Sequence, residues 1–386
     1  MHSYYSLRYG VLSPKEVLEH AVSGGFECAL LADVNNTTAA LDFVRMSAKY
    51  NVKPVLGVDF RNGAQPCYLA IARNNAGYYE INAHLSHHLH HKKPFPLQAP
   101  VFEHCYVIYP FHTPLTDFRA HEFRGVEASD LPKVRLHPTR WGDKLMASPT
   151  MTFRNKADFN THRLLRAIDN NTLLSKLPLE QQASPNDRYR TMPELQEAFE
   201  ERSDLLHRYL EMLASCEVHF TFGTEHPHQN QQTYTGSMEG DAAMLRKLCE
   251  DGIGYRYPVV TPQIQSRIKK ELEIIQEKGF LSYFLINWDI TTYARNKGYF
   301  YVGRGSGANS IVAYILRITD VDPIELDLYF ERFINLYRRN PPDFDIDFSW
   351  TDRDDVTRYI FERFRHVTLL GAYSTFQYRA VIRELG

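Results

Sequence analysis

Over roughly the first 130 residues, short β-rich runs and helix-patterned runs take turns, and this alternation limits the fold more than any other feature of the sequence. "PKEVLEHAVSGGF" carries helical apolar spacing, "ECALLAD" is a strand run, "TTAALDFVRMSAKYN" a helix and "VKPVLGVDF" a strand. Strands separated by helix-length segments pair in parallel, so this order predicts βα units around a parallel sheet or barrel. The series continues with strand "CYLAIAR", helix "AGYYEINAHLSHHLHH" and strands "HCYVIYPF" and "EFRGVEAS". Between residues 140 and 190 the pattern loosens; "LPLEQQASPNDRYRTM" reads as a polar surface excursion before helices resume near 192 to 217.

A chain of 386 residues exceeds one ordinary domain. The first domain is expected over residues 1–220 and a Gln/Thr/His-rich, aperiodic linker over 221–237, "TFGTEHPHQNQQTYTGS". A second domain is expected over 238–386, with helices at about 238 to 253, 262 to 279 and 280 to 298. No internal repeat is found.

The composition, 44% hydrophobic and 23% charged with a net charge of −2, describes a globular protein and excludes a disordered chain. A polyanion would have to be drawn by local arginine and lysine clusters, since the whole-molecule field is near neutral. Cys28, Cys67, Cys105, Cys216 and Cys249 form no CxxC pair, so neither a zinc site nor a disulfide framework is expected. No signal-like or membrane-spanning apolar run occurs, and a cytoplasmic location is expected.

"HLSHHLHHKK" gathers His84, His87, His88, His90 and His91 at spacings that could place two imidazoles on one helix face. The simpler reading is a solvated last turn whose positive tendency suits a helix C-terminus.

"GRGSGANSIVAYIL" alternates Gly303, Gly305 and Gly307 ahead of an apolar helix. Glycines let backbone approach an anion, and the following helix N-terminus would point amides at it; Ser306 adds a hydroxyl and Arg304 a charge. The same pattern also serves as a plain turn. In "PPDFDIDFSW", alternation puts Asp343, Asp345 and Asp347 on one strand face and Phe344, Ile346 and Phe348 on the other. Neighbouring carboxylates would stand about 6.6 Å apart at Cα, close enough to lean onto shared cations. Mg²⁺ takes one or two carboxylates plus phosphate oxygens, and a metal pair stabilises both oxygens of an in-line phosphoryl displacement. A half-buried edge strand with an acidic face would look the same. The glycine loop upstream, with Arg332, Arg338, Arg339 and Arg353 near the strand, favours phosphoryl transfer, for which positioned phosphates, metals and cationic clamps are the required parts.

"VGRGSGANSIVAYILRITDVDPIELDLYFERFIN" followed by "PPDFDIDFSWTDRDDV" resembles the C family of bacterial replicative DNA polymerases, the alpha subunit of DNA polymerase III. The resemblance runs back through "ELEIIQEKGFLSYFLINWDI" and on through "AYSTFQYRAVIRELG". It implies the start of a polymerase-beta-like nucleotidyltransferase palm (α+β). There Gly305 and Ser306, with Arg304 and Arg332 beside them, would hold the triphosphate, and Asp345 and Asp347 would bind two Mg²⁺ ions. Asp343 matches a position not counted among the catalytic carboxylates. The implied substrates are primer-template DNA and deoxynucleoside triphosphates (dNTPs), and the implied partners of the full-length protein are a proofreading exonuclease subunit and a sliding clamp. No membrane is involved.

The first domain is similar to the PHP domain, a distorted seven-stranded βα barrel, through "HSYYSLRYG", "LLADVNN", "VKPVLGVDF", "ARNNAGYYEINAHLS" and "NTHRLLRAIDNN". Its metal motifs are incomplete. His2 fits the second histidine of an H-x-H pair, Asp33 is followed by Val34 where histidine is usual, and Thr150 and Thr152 stand where Asp-x-His is expected. With His2, Asp33 and Asp59 as remnants, PHP metals are expected to be absent and phosphoesterase or proofreading activity lost. A structural or exonuclease-docking role would remain; a working PHP phosphoesterase is the competing reading. The resembled palm also needs a third aspartate further downstream, so these residues are expected to be an N-terminal portion that does not extend a primer alone.

Overall fold

The computed structural model describes residues 1–136, 142–222, 233–335, 337, 343–365, 367–370 and 377–385. The chain forms two compact units, Met1–His226 and Pro227–Gly386. Much of the expected linker, and Arg338 and Arg339, lie outside the described residues.

Unit 1 is built on a six-stranded sheet in chain order: β1 (Cys28–Val34), β2 (Lys53–Asn62), β3 (Gln65–Ala72), β4 (Cys105–Tyr109), β5 (Glu122–Val126) and β6 (Leu145–Ala147). Around it run α1 (Pro14–Ser23), α2 (Ala40–Tyr50), α3 (Asn75–His90), α4 (Leu131–Leu136), α5 (Lys156–Asp169), α6 (Met192–Ala198) and α7 (Ser203–Ser215). Helix α1 starts at a capping box in which Ser13 and Glu16 satisfy each other's backbone amides, with Pro14 fixing the first turn. Strand β1 is buried along its middle because both faces are covered, so it reads as an unbroken apolar run.

Two features differ from the expected barrel. Six strands occur among the described residues where seven were expected, the remaining β pairing being a single bridge between Phe153 and Arg188. The sheet is also mixed: β1/β2, β4/β5 and β5/β6 are parallel, but β2/β3 and β3/β4 are antiparallel. Only Gly63 and Ala64 separate β2 from β3, and two residues can close a hairpin but cannot carry a parallel crossover. Gly63 has φ +61°, a value side-chain-bearing residues rarely adopt.

Unit 2 contains α8 (Met238–Arg256), α9 (Pro262–Glu277), α10 (Leu281–Asn296), α11 (Ile311–Ile315), α12 (Arg353–Arg363) and α13 (Tyr378–Leu385). It also holds a two-stranded antiparallel ribbon of β7 (Tyr301–Arg304) and β8 (Asp345–Phe348). Its core gathers Leu245, Ile275, Phe284, Val312, Phe330 and Phe333, with Phe344 and Ile346 packed against it. Each fully buried Phe stabilises the unit by about 1.5–3 kcal/mol. Phe344 lies 5.0 Å from the Phe333 ring and 5.1 Å from that of Phe284, which fixes the entry to β8. No helix of the described residues is long and apolar enough to cross a membrane.

Candidate nucleotide and metal site

The ribbon register sets the site. Arg304 pairs across with Asp345 and Val302 with Asp347, while Asp343, Asp345 and Asp347 are exposed and Phe344, Ile346 and Phe348 partly buried. The two strand carboxylates therefore share the outer face, as alternation requires.

Gly305, at φ +74°, turns the chain out of β7, and a Cβ there would stand 2.5 Å from Oδ2 of Asp345. The loop backbone is thus laid against the first carboxylate. The other two glycines serve packing. A Cβ at Gly303 would meet the Ile318 carbonyl oxygen at 2.0 Å, and one at Gly307 the Phe344 ring at 2.8 Å.

The expected amide cradle at the following helix is not open. Helix α11 has five residues, and its first amides are taken by Glu271, fully buried on α9. Its carboxylate accepts from Ser310 Oγ (2.7 Å), Ile311 N (3.2 Å) and Val312 N (3.3 Å), and Arg267 Nε donates to it at 2.7 Å. Burial pushes the Glu271 carboxyl upward, opposed by Arg267 and Ser310. Arg267 and Glu271 stand four apart on one helix, a spacing visible in the sequence, but their burial is not. Any anion at this loop has Gly305 and Ser306 to meet, not the start of α11.

Arg304 Nε lies 2.6 Å from Oδ2 of Asp347, with both side chains well exposed (64% and 59%). Read from sequence as a phosphate contact, it here crosses the ribbon diagonally onto the second carboxylate. Arg332 is exposed in the turn Phe330–Arg332 and has no ion-pair partner among the described residues. Arg353 reaches Asp354 at 3.8 Å. Two exposed carboxylates on one strand face are hard oxygen donors of the kind Mg²⁺ takes when phosphate oxygens complete its shell.

In unit 1, Asp33 and Asp59 are brought to neighbouring strand ends, since Val34 pairs with Asp59. Asp33 accepts from Ser3 N (2.6 Å), Ser3 Oγ (2.8 Å) and Ser6 Oγ (2.7 Å). Burial lifts its carboxyl to about 6 despite these bonds. Asp59 Oδ2 accepts from Arg61 Nε (2.8 Å) and Nη2 (2.6 Å) and contacts His2 Nε2 at 3.1 Å. Burial works against ionisation of Asp59, but the Arg61 charge and the His2 and Arg61 bonds outweigh it and hold the carboxyl well below its usual range. The other ring nitrogen of His2 meets Thr152 Oγ1 at 2.9 Å, and burial draws this histidine down to about 4. Arg61 also lies over the Tyr9 ring, 4.7 Å from its centroid.

These remnants do not fit a metal cluster, because the arginine cation already stands on the carboxylate and serines saturate its neighbour. Arg61 follows Asp59 by two residues on a strand and so shares its face, a spacing visible in the sequence. His2, Asp59 and Arg61 line a cavity of about 490 Å³ that also includes Glu127 and Asp187. Burial, then the Glu127 charge, pushes the Asp187 carboxyl up to about 7.

The histidine-rich end of α3 is tied to backbone: His88 Nδ1 meets the Pro94 carbonyl at 2.9 Å, and His91 Nδ1 the His87 carbonyl at 2.8 Å. His84 bonds Tyr68 Oη at 2.7 Å. The one trio of possible metal donors within 4.8 Å of one another among the described residues is Glu80, Glu103 and His104. Glu80 there already accepts from the amides of Glu103 (3.3 Å) and His104 (3.1 Å). The five cysteines are unpaired by disulfides.

Two domain families match the chain: residues 1–109 match the PHP domain, and residues 243–386 the bacterial DNA polymerase III alpha NTPase domain. The first part of the chain thus carries a PHP domain and the second a bacterial DNA polymerase III alpha NTPase domain, as the loop and acidic strand indicated for the latter. Along its whole length it is 28% identical to an error-prone DNA polymerase of Symbiobacterium thermophilum and 26% identical to the DNA polymerase III subunit alpha of Escherichia coli K12, spanning 40% and 38% of those proteins. Over 192 residues, 49% of this chain and 17% of the relative, it is 39% identical to an error-prone DNA polymerase of Ruegeria pomeroyi. The chain thus spans about two fifths of the length of the relatives matched over all of it.

Proposed function

We propose that unit 2 is the nucleotide-binding part of a DNA polymerase palm that adds deoxynucleotides to a primer 3′ end. The observation that carries this reading is the shared outer face of β8, where Asp345 stands against the Gly305 backbone and Asp347 against Arg304. Asp345 and Asp347 would hold two Mg²⁺ ions. When bound, such a pair stabilises the attacking and leaving oxygens of an in-line displacement. Gly305 and Ser306 would receive the triphosphate, and Arg304 and Arg332 would balance its charge. Phe344 and Ile346, anchored in the core, keep the carboxylate face from rotating.

In the native polymerase polypeptide, Asp345→Ala or Asp347→Ala should lower Mg²⁺-dependent primer extension by about 1,000-fold or more while the fold persists by circular dichroism. Extension within tenfold of the parent by either variant would sink the assignment.

Unit 1 is proposed to be a PHP domain without phosphoesterase or proofreading activity, retained as a structural part and as a docking surface for a separate exonuclease subunit. The Arg61–Asp59 pair supports this, because a metal would have to displace a mostly buried, doubly bonded guanidinium. Stoichiometric Zn, Mn or Fe in purified protein, lost on Asp59→Ala, would restore the phosphoesterase reading instead.

A further inference from the structure

We infer that Arg304 is an internal counter-ion for the two carboxylates of β8, displaced by the divalent metal and thereby released toward the triphosphate. The inference rests on the polymerase reading and deepens it. Arg304 is the cross-strand partner of Asp345, yet its Nε binds Asp347 at 2.6 Å, so one guanidinium serves a face that carries both carboxylates. Without a cation these like charges oppose each other on one short strand. A metal coordinating Asp347 would draw on the same carboxylate that Arg304 holds, so the two compete for its negative charge. Both side chains are exposed, which keeps the pair weak and allows displacement. Position 304 directly precedes the Gly305 turn, so the freed side chain stays beside the loop proposed to meet the phosphates.

Competition and recruitment predict effects of opposite sign. Removing Arg304 should tighten binding of the metal alone and weaken binding of metal-bound nucleotide. The test is titration of this chain with Mn²⁺, read by the electron paramagnetic resonance signal of free ion, then with Mn²⁺–dATP by calorimetry. Arg304→Ala should tighten Mn²⁺ by about two- to fivefold, the scale of an exposed ion pair, and loosen Mn²⁺–dATP by about tenfold, the scale of a charge-assisted phosphate contact. Arg304→Lys should fall between Ala and the parent in both. Arg8→Ala, which removes one positive charge from an exposed pair with Asp169 in unit 1, should leave both constants unchanged and so excludes a net-charge effect. Unchanged or weaker Mn²⁺ binding by Arg304→Ala, with binding abolished by Asp347→Ala, overturns the inference alone. Parent-like Mn²⁺ binding by both Asp345→Ala and Asp347→Ala overturns the site reading, and the inference with it.

Discussion

In each unit an arginine sits on a strand carboxylate, and the two pairs differ chiefly in their access to water. Arg61 and Asp59 are mostly buried, with side chains 11% and 14% exposed, and the guanidinium makes two bonds to one oxygen while covering Tyr9. Arg304 and Asp347 have similar contact distance and far greater exposure. Burial makes the first pair hard to open, because either partner left alone in the interior is an uncompensated charge. Exposure makes the second easy to open, since water solvates whichever partner is released. The same two residue types can therefore form a pair that resists opening or one that yields readily to a competing cation.

The sharpest way to break this contrast is to remove the buried cation. Arg61→Ala should cost unit 1 about 3–5 kcal/mol in urea denaturation, because the mostly buried Asp59 is left with only the His2 contact against its charge. Adding Asp59→Asn should recover most of that loss by removing the stranded charge. A single-variant cost below about 1 kcal/mol would show that burial is not what fixes the pair.

Unit 2 contains its own buried pair, which separates burial from domain identity. Glu271 holds Ser310, two amides at the start of α11 and Arg267. Glu271→Ala should destabilise unit 2 by about 3 kcal/mol, followed by its unfolding transition, since two amides and a guanidinium lose their acceptor together. Equal stability of variant and parent would mean that the start of α11 finds another acceptor, such as phosphate.

How much of this could be read in the sequence follows from the range of the forces involved. The strands and helices from α1 through β5 follow from apolar periodicity, which is local. The outward face of Asp345 and Asp347 follows from strand alternation alone. Strand β6 has three residues, too few to show a period, and α5 buries His162 and Arg166, which a polarity pattern assigns to solvent. The partners that decide the sites, Glu271 on α11 and Ser3 and Ser6 on Asp33, come from 27 to 41 residues away and leave no local mark. Arg304 was legible as a cation near the loop, but its attachment to Asp347 depends on ribbon register.

Acid should test unit 1 further. His162 is fully buried, with Nδ1 on the Tyr9 carbonyl at 2.7 Å and Nε2 accepting from the Ala183 amide at 2.8 Å, beneath the same Tyr9 that carries Arg61. Burial holds its ring at about 4, against 6.5 ordinarily. Between those values the unfolded chain binds a proton that the folded chain does not, so stability rises with pH across this window and is lost as pH falls toward 4. His162→Gln, which keeps a donor and an acceptor but takes no proton, should flatten that slope by about 2 kcal/mol in denaturant melts at pH 4 compared with pH 7. An unaltered slope would assign acid sensitivity to other groups.

The smallest effect is expected at the exposed pair, and its smallness is the point. Arg304→Ala should change the stability of unit 2 by less than about 1 kcal/mol, because water replaces the lost partner of Asp347 at little cost. Raising the salt to about 1 M should abolish even that difference, as screening shortens the range of exposed charges to about 3 Å. Arg61→Ala should keep most of its penalty under the same salt, since salt screens a mostly buried pair far less than an exposed one. Parallel melts of the two variants at low and high salt therefore read the contrast directly. A salt-resistant loss for Arg304→Ala would mean that its carboxylate partner is enclosed, and a metal could not then displace the arginine from it.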